Sequence, residues 1–308
     1  MALSLRKSSN DAPVGIDIDG RYLAAAQVEG GRLVRAVSRE LPEGVMKDGE
    51  VTDHEALSRL LKDFTGAENL PKTVRLGVSN QQIVVRVIEL PRIENEQERE
   101  AAVRFQAAEA IAMPLDDAVL DHQIAGYTES PDGAARMQVV LVAARRTMID
   151  NLLETVKQAG LKAVGVDLDA FALVRTLATE EDTEGVARVY CHLGGVSNLA
   201  VAVGSACYFT RPLTASWTDE DAGARLADEI RLSIDYYMAQ PQARPVEEVV
   251  LSGPGAHEEE LVSDLTAQLG IAARVAAPLG TLTSEAIAPG EDPYRYTVAA
   301  GLALGAAA

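Results

Sequence analysis

The residues of this chain best placed to do chemistry fall in two short strand–turn–strand runs that begin 175 positions apart, at Val14 and at Val189. The first, Val14 to Val28, carries Asp17, Asp19 and Gly20; the second, Val189 to Val203, carries His192, Gly194, Gly195 and Ser197. Each is an apolar strand, a glycine turn with small polar residues, and a second apolar strand. Glycine lets backbone N–H groups come close to an anion, so two facing turns of this kind can hold a phosphate chain from both sides. A third small-residue turn, Ser252-Gly-Pro-Gly-Ala256, brings Gly253 and Gly255. The same glycines also suit plain hairpins, and both uses stay open here. Asp17 needs hydrogen-bond partners if its apolar strand is buried, and backbone N–H groups would serve. His192 reads first as a core histidine rather than a base or ligand.

Little else offers reactive chemistry. His54, His122 and His257 are scattered without metal-ligand spacing. Cys191 and Cys207 lie in apolar segments with no Cys-x-x-Cys pattern, which points to buried free thiols. The net charge of −18 argues against broad nucleic-acid binding and against direct adhesion to anionic lipid. At 308 residues, 47% hydrophobic and 24% charged, the chain can bury one bilobed core or two domains. Aromatic residues make up only 4%, so that core rests on Ala, Val and Leu. No run approaches the ~20 apolar residues of a membrane span. Met1–Asn10 lacks the apolar centre of a secretory signal. A cytoplasmic chain with a disordered tail over residues 1–12 is therefore expected.

The elements that must position these turns read in order. Val14–Ile18, Leu23–Val28 and Leu33–Leu41 form a meander, with Gly30-Gly31 at its second turn. A capping box at Thr52–Glu55 predicts a helix with Leu57, Leu60, Leu61 and Phe64 on one face, ended by Gly66. Thr73–Val78 is a buried strand. From about Gln82 to Val166 the pattern changes to strand (Ile83–Leu90), helix (Glu94–Met113), two strands (Ala118–Tyr127, Ala135–Arg145) and helix (Thr147–Ala159). Leu168–Ala178 reads as a helix returning to the first half, and the acidic stretch 179–185 separates the halves. Helical stripes follow over Ala222–Tyr237 and Glu258–Leu269, with a strand at Glu247–Leu251 between them and an Ala/Gly-rich helix or turn at Tyr296–Leu304.

In order and spacing these runs resemble the PilM family of type IV pilus assembly proteins, actin-like proteins related to FtsA. The resemblance covers nearly all of residues 13–304 and rests on Gly44–Val51, Val85–Pro91, Ala102–Leu115, Val140–Arg145, Gly160–Asp167 with Ala170–Leu173, and Val249–Gly253. It implies a bilobed, duplicated α/β actin-like (ribonuclease-H-like) fold. The first lobe would comprise 13–81 plus 167–180, an inserted α+β (SHS2-like) block 82–166, and the second lobe 186–304.

The resemblance also implies an ATP cleft at Asp17, Gly20, His192, Gly194, Gly195, Ser197, Gly253 and Gly255, and this sequence departs from its pattern. The first turn of the family reads Asp-Ile-Gly-Ser-x-x-x-Lys; here Asp19, Gly20 and Ala24 stand at the Gly, Ser and Lys positions. His192 stands where the second turn begins with Asp, and Pro254 replaces the middle glycine of the third. Hydrated Mg2+ prefers oxygen ligands, so His192 serves it badly. Asp19 sets a negative charge against the phosphates, a repulsion of roughly 4 kcal/mol at ~4 Å and an effective dielectric of 20. ATP with Mg2+ is therefore expected to bind weakly or not at all, without hydrolysis.

The function implied is a cytoplasmic scaffold, peripheral at the inner face of the membrane and reaching it only through a partner. That partner is the N-terminal tail of a PilN-type bitopic protein, held in a groove between the first lobe and the inserted block. Arg104 and Phe105 are the candidate groove residues, and self-association is left open. The alternative is a phosphotransferase or ATPase of the sugar-kinase/actin superfamily.

Overall fold

The computed structural model describes residues 12–130, 132–179, 185–276, 278, 286–287 and 291–305. The expected tail (but for residue 12) and most of the acidic stretch, 180–184, lie outside them. The first lobe opens with the meander β1 (Val14–Ile18), β2 (Tyr22–Glu29) and β3 (Arg32–Glu40). A small hairpin, β4 (Met46–Lys47) and β5 (Glu50–Val51), precedes helix α1 (His54–Ala67) and strand β6 (Thr73–Val78). Helix α1 begins one residue later than the capping box implies. Asp53, in extended backbone, caps it by accepting from Ala56 N at 2.9 Å, while the Thr52 hydroxyl donates instead to the Gly44 carbonyl.

The middle of the chain adds β7 (Val84–Pro91), α2 (Glu96–Ala110), β8 (Ala118–Glu129), β9 (Ala135–Arg145), α3 (Arg146–Gln158), β10 (Lys162–Leu168) and α4 (Asp169–Leu177). Strands β7-β9-β8 make a separate three-stranded sheet covered by α2. Its own core holds Ile88, Val103, Ala107, Met137, Val139 and Leu141. This unit ends earlier than the expected 82–166 block. Met148, Ile149, Leu152 and Val156 of α3 pack into the first lobe's core with Leu57, Leu61 and Phe64. Strand β10, which the sequence hides behind Gly165 and a register break, pairs in parallel with β6 at the edge of the first lobe's sheet.

The second lobe repeats the first. Strands β11 (Ala187–His192), β12 (Asn198–Val203) and β13 (Ala206–Pro212) form the meander. They are followed by α5 (Ala222–Met238), β14 (Val246–Ser252), α6 (Glu259–Leu269), β15 (Ala272–Val275) and α7 (Thr297–Leu304). The sheet orders β10-β6-β1-β2-β3 and β13-β12-β11-β14-β15 are the same topology, each central strand antiparallel to its hairpin partner and parallel to the next. One connection is exchanged between them. Helix α4 buries Ala170, Leu173, Val174 and Leu177 against Tyr190, Ala200 and Val250 of the second sheet. Helix α7 buries Ala299, Ala300 and Ala303 against Ala24, Ala26 and Ala36 of the first. The two helices cross between the lobes, and alanine-rich faces let them approach closely.

Candidate functional site

The β1–β2 and β11–β12 turns project toward each other across the lobe boundary, as the repeat implies, and they touch. A Cβ placed on Gly195 would come within 2.4 Å of the Asp19 carbonyl oxygen, and one on Gly194 within 3.1 Å of the Asp19 carboxylate. These glycines therefore let one hairpin press on the other. Gly20, with φ near +90°, holds the left-handed corner of the first turn, where other residues are strained. The Asp19 carboxylate lies at the junction. Its Oδ1 accepts from Arg21 N at 2.8 Å and Tyr22 N at 2.6 Å, and its Oδ2 accepts from Gly195 N at 2.9 Å. Beside it remains an open space of about 20 Å³, room for a water, lined by Asp19, Glu50, Gly77, Ser79, Asn151 and Asp169 among others.

Three buried titratable groups surround this junction. Asp17, paired with Ala24 in the β1–β2 ladder, is raised well above the usual carboxylate range by burial, then by Asp169 and Asp19. Asp169 opens α4, and burial, with Asp167 and Asp19 nearby, pushes it up to about 8. Sequence reasoning missed Asp169; its signal is an acidic residue directly after the apolar end of a strand. Gly77 makes room for it, since a Cβ there would lie 2.1 Å from Asp169 Oδ1. Burial brings His192 down to about 4, against the opposing pull of Asp19 and Asp292, so its imidazole is neutral near pH 7. Asp169 Oδ1, His192 Nδ1, Ser197 Oγ and Asn198 Oδ1 are buried and find no hydrogen-bond partner among the described residues. The expected core histidine is thus buried but only partly satisfied.

The third turn belongs to the same assembly. Leu193 N donates to the Ser252 carbonyl at 2.7 Å and Gly255 N to the Leu193 carbonyl at 3.0 Å. Gly253, at φ +89°, lies so close to Leu193 that a Cβ would sit 2.7 Å from its carbonyl oxygen. A Cβ on Gly255 would meet the Trp217 ring at 2.6 Å. That indole covers the turn and donates from Nε1 to the Gly194 carbonyl at 3.2 Å. Arg21 reaches over from the first lobe, its guanidinium 5.8 Å from the Trp217 ring centre and its Nη2 donating to Thr218 Oγ1 at 3.3 Å. Neither Arg21 nor Trp217 stands out in the sequence, because each gains meaning only from the other lobe.

A second, larger feature lies away from the hairpins. A groove of about 410 Å³ runs where the three-stranded unit meets β10 and α4 of the first lobe and β13 of the second. Val119, Val140, Val142, Ile149, Val166 and Phe171 line it, with Asp121, Asp167 and Arg175 as charged members. Arg104 and Phe105, expected to face such a groove, do not. Helix α2 covers the face of the three-stranded sheet that bears Met137, Val139 and Leu141, whereas the groove uses the opposite face, Val140 and Val142. Phe105 points outward from α2, 73% exposed.

Known proteins match this architecture. The solved PilM–PilN type IV pilus biogenesis complex aligns at 25% identity over 96% of this chain and 98% of its own, with a TM-score of 0.79. The cytoplasmic domain of EpsL, an inner-membrane component of the Vibrio cholerae type II secretion system, aligns at 11% identity over 94% of both chains, with a TM-score of 0.51. MreB5 of Spiroplasma citri, solved with ADP, aligns at 11% identity over 95% of both, with a TM-score of 0.50. The last two speak to the fold alone, and that fold is actin-like. The family described as type IV pilus assembly protein PilM matches residues 15–186, more than half of the sequence. The chain belongs to the PilM family of type IV pilus assembly proteins.

Proposed function

We propose that this chain is a scaffold of the type IV pilus assembly platform, and that it holds the cytoplasmic N-terminal tail of a single-span, PilN-type protein. The observation that carries this reading is the apolar groove beside the three-stranded unit. Its walls include consecutive residues of β8 (Asp121, His122, Gln123) and of β10 (Val166, Asp167, Leu168). Both are edge strands of their sheets. An extended peptide laid there meets unpaired backbone groups as well as apolar side chains, which is how sheet edges capture tails. Asp121, beside the Arg175–Asp167 pair, supplies the charge that fixes direction and register. The 25% identical relative being a PilM–PilN complex supports the same assignment. No helix among the described residues is long and apolar enough to cross a membrane, so the proposed place at the inner face of the cytoplasmic membrane depends on that partner.

Calorimetry with a synthetic N-terminal tail of the PilN-type protein tests this. Val142→Asp sets a charge in the apolar groove and weakens binding by about tenfold or more. Asp17→Ala, at the hairpin junction, leaves binding unchanged in folded protein. Full affinity in a folded Val142→Asp protein rules the groove out.

A further inference from the structure

The hairpin turns of this fold present backbone N–H groups suited to an anion, and this chain carries an anion of its own at that place. Asp19 collects three such donors, two from its own turn and one, Gly195 N, from the opposite lobe. We infer that the Asp19 carboxylate is a resident substitute for the phosphate of a nucleotide, and that together with Arg21 on Trp217 it clasps the two lobes shut with no nucleotide present.

Three observations converge on this. The turns are in contact at Gly195, where a Cβ would already meet the Asp19 backbone, so a phosphate cannot lie between them there. Two spaces flank the junction, of about 20 and about 220 Å³, and among their lining residues are Asp19, Asp48, Glu50 and Asp169 but neither Lys nor Arg. An incoming polyanion would thus displace a carboxylate from its three donors and gain no cation in return. The indole of Trp217 lies against Gly255, over the turn that would face a nucleoside, and is held there by the Gly194 carbonyl. The residues present therefore do not fit a magnesium–triphosphate. They fit a self-contained closure between lobes, independent of what the distant groove binds.

The experiment uses the full chain, whose only tryptophan is Trp217 at the clasp itself. In wild-type protein without nucleotide, the Gly195 amide is protected from hydrogen exchange, and calorimetry with ATP, with or without Mg2+, detects no binding tighter than about 1 mM. Asp19→Asn retains an acceptor for the Arg21 and Tyr22 amides but turns an NH2 group toward Gly195. Its Gly195 amide then exchanges about tenfold faster and Trp217 emission shifts to the red. An unprotected Gly195 amide in the wild type, or micromolar ATP affinity there, overturns the proposal. So does a folded Asp19→Asn protein with exchange and emission both unchanged. The two wild-type measurements stand even if the variant does not fold.

Discussion

Arg175 of α4 donates from Nη1 to the Gly301 carbonyl of α7 at 2.8 Å, tying together the two helices that the lobes exchange. Its Nη2 pairs with Asp167 at the end of β10, also at 2.8 Å, and both side chains are largely buried. The bond satisfies a carbonyl that would otherwise lie at the crossing of two packed helices. Arg175→Met should therefore destabilise the protein by about 2 kcal/mol, since it leaves the Asp167 charge partly buried without its partner. Urea unfolding measures this as a lower midpoint at unchanged slope.

Gly301 is the point of closest approach of that crossing. A Cβ there would lie 2.0 Å from the Ala172 carbonyl oxygen and 2.5 Å from Thr176 Oγ1. Backbone cannot yield as a flexible side chain would, so Gly301→Ala forces α4 and α7 apart. The expected cost is about 1–3 kcal/mol, read as a fall in the thermal midpoint. A variant as stable as wild type would contradict so close a crossing.

Asp169 gives a pH signature. Its folded pKa of about 8 lies above its unfolded value, so the folded state binds the proton more tightly. Its contribution to stability is whole below the unfolded value of about 4 and is lost progressively as pH rises from there to about 8. His192 runs the other way: its folded pKa of about 4 lies below the unfolded value, and stability is lost as pH falls from about 6.5 toward 4. Asp169→Asn should remove much of this loss and keep that of His192. Thermal melts at about pH 5 and about pH 8 should show the variant gaining more on wild type at the higher pH. An equal difference at both would contradict the assignment.

Phe105 offers a control on the groove. It stands out on the surface of α2, on the far side of the three-stranded sheet. Phe105→Ser should change stability by less than about 0.5 kcal/mol and leave tail binding intact. Loss of tail affinity in this variant would move the partner site from the groove to α2.

Much of the architecture was legible because it rests on local pattern. The meander around Gly30-Gly31, the stripes of α1, α3 and α5, and the two glycine turns each announce themselves within a dozen residues. The doubling of the turns also disclosed the doubled topology. What stayed hidden depends on contacts between distant segments. Strand β10 is broken by a bulge at Gly165, so no alternation marks it. Asp19 reads in sequence as a repulsive charge; only the fold reveals Gly195 N as its acceptor-seeking partner 176 positions away. Trp217 and Arg21 are unremarkable apart and meaningful together. Phe105 stands apart from the groove, and an exposed apolar residue on a helix is by pattern equally consistent with a partner site and with chance exposure.

The swapped positions of α4 and α7 bear on how the chain is made. While a ribosome is still translating the second half, the Ala24–Ala36 surface of the first sheet has no cover, because the segment that seals it, Thr297–Leu304, emerges only after the strands of the second sheet. Neither half can thus mature as an autonomous unit during synthesis. Fragments split between residues 179 and 185 should be insoluble when produced singly and recover when produced together.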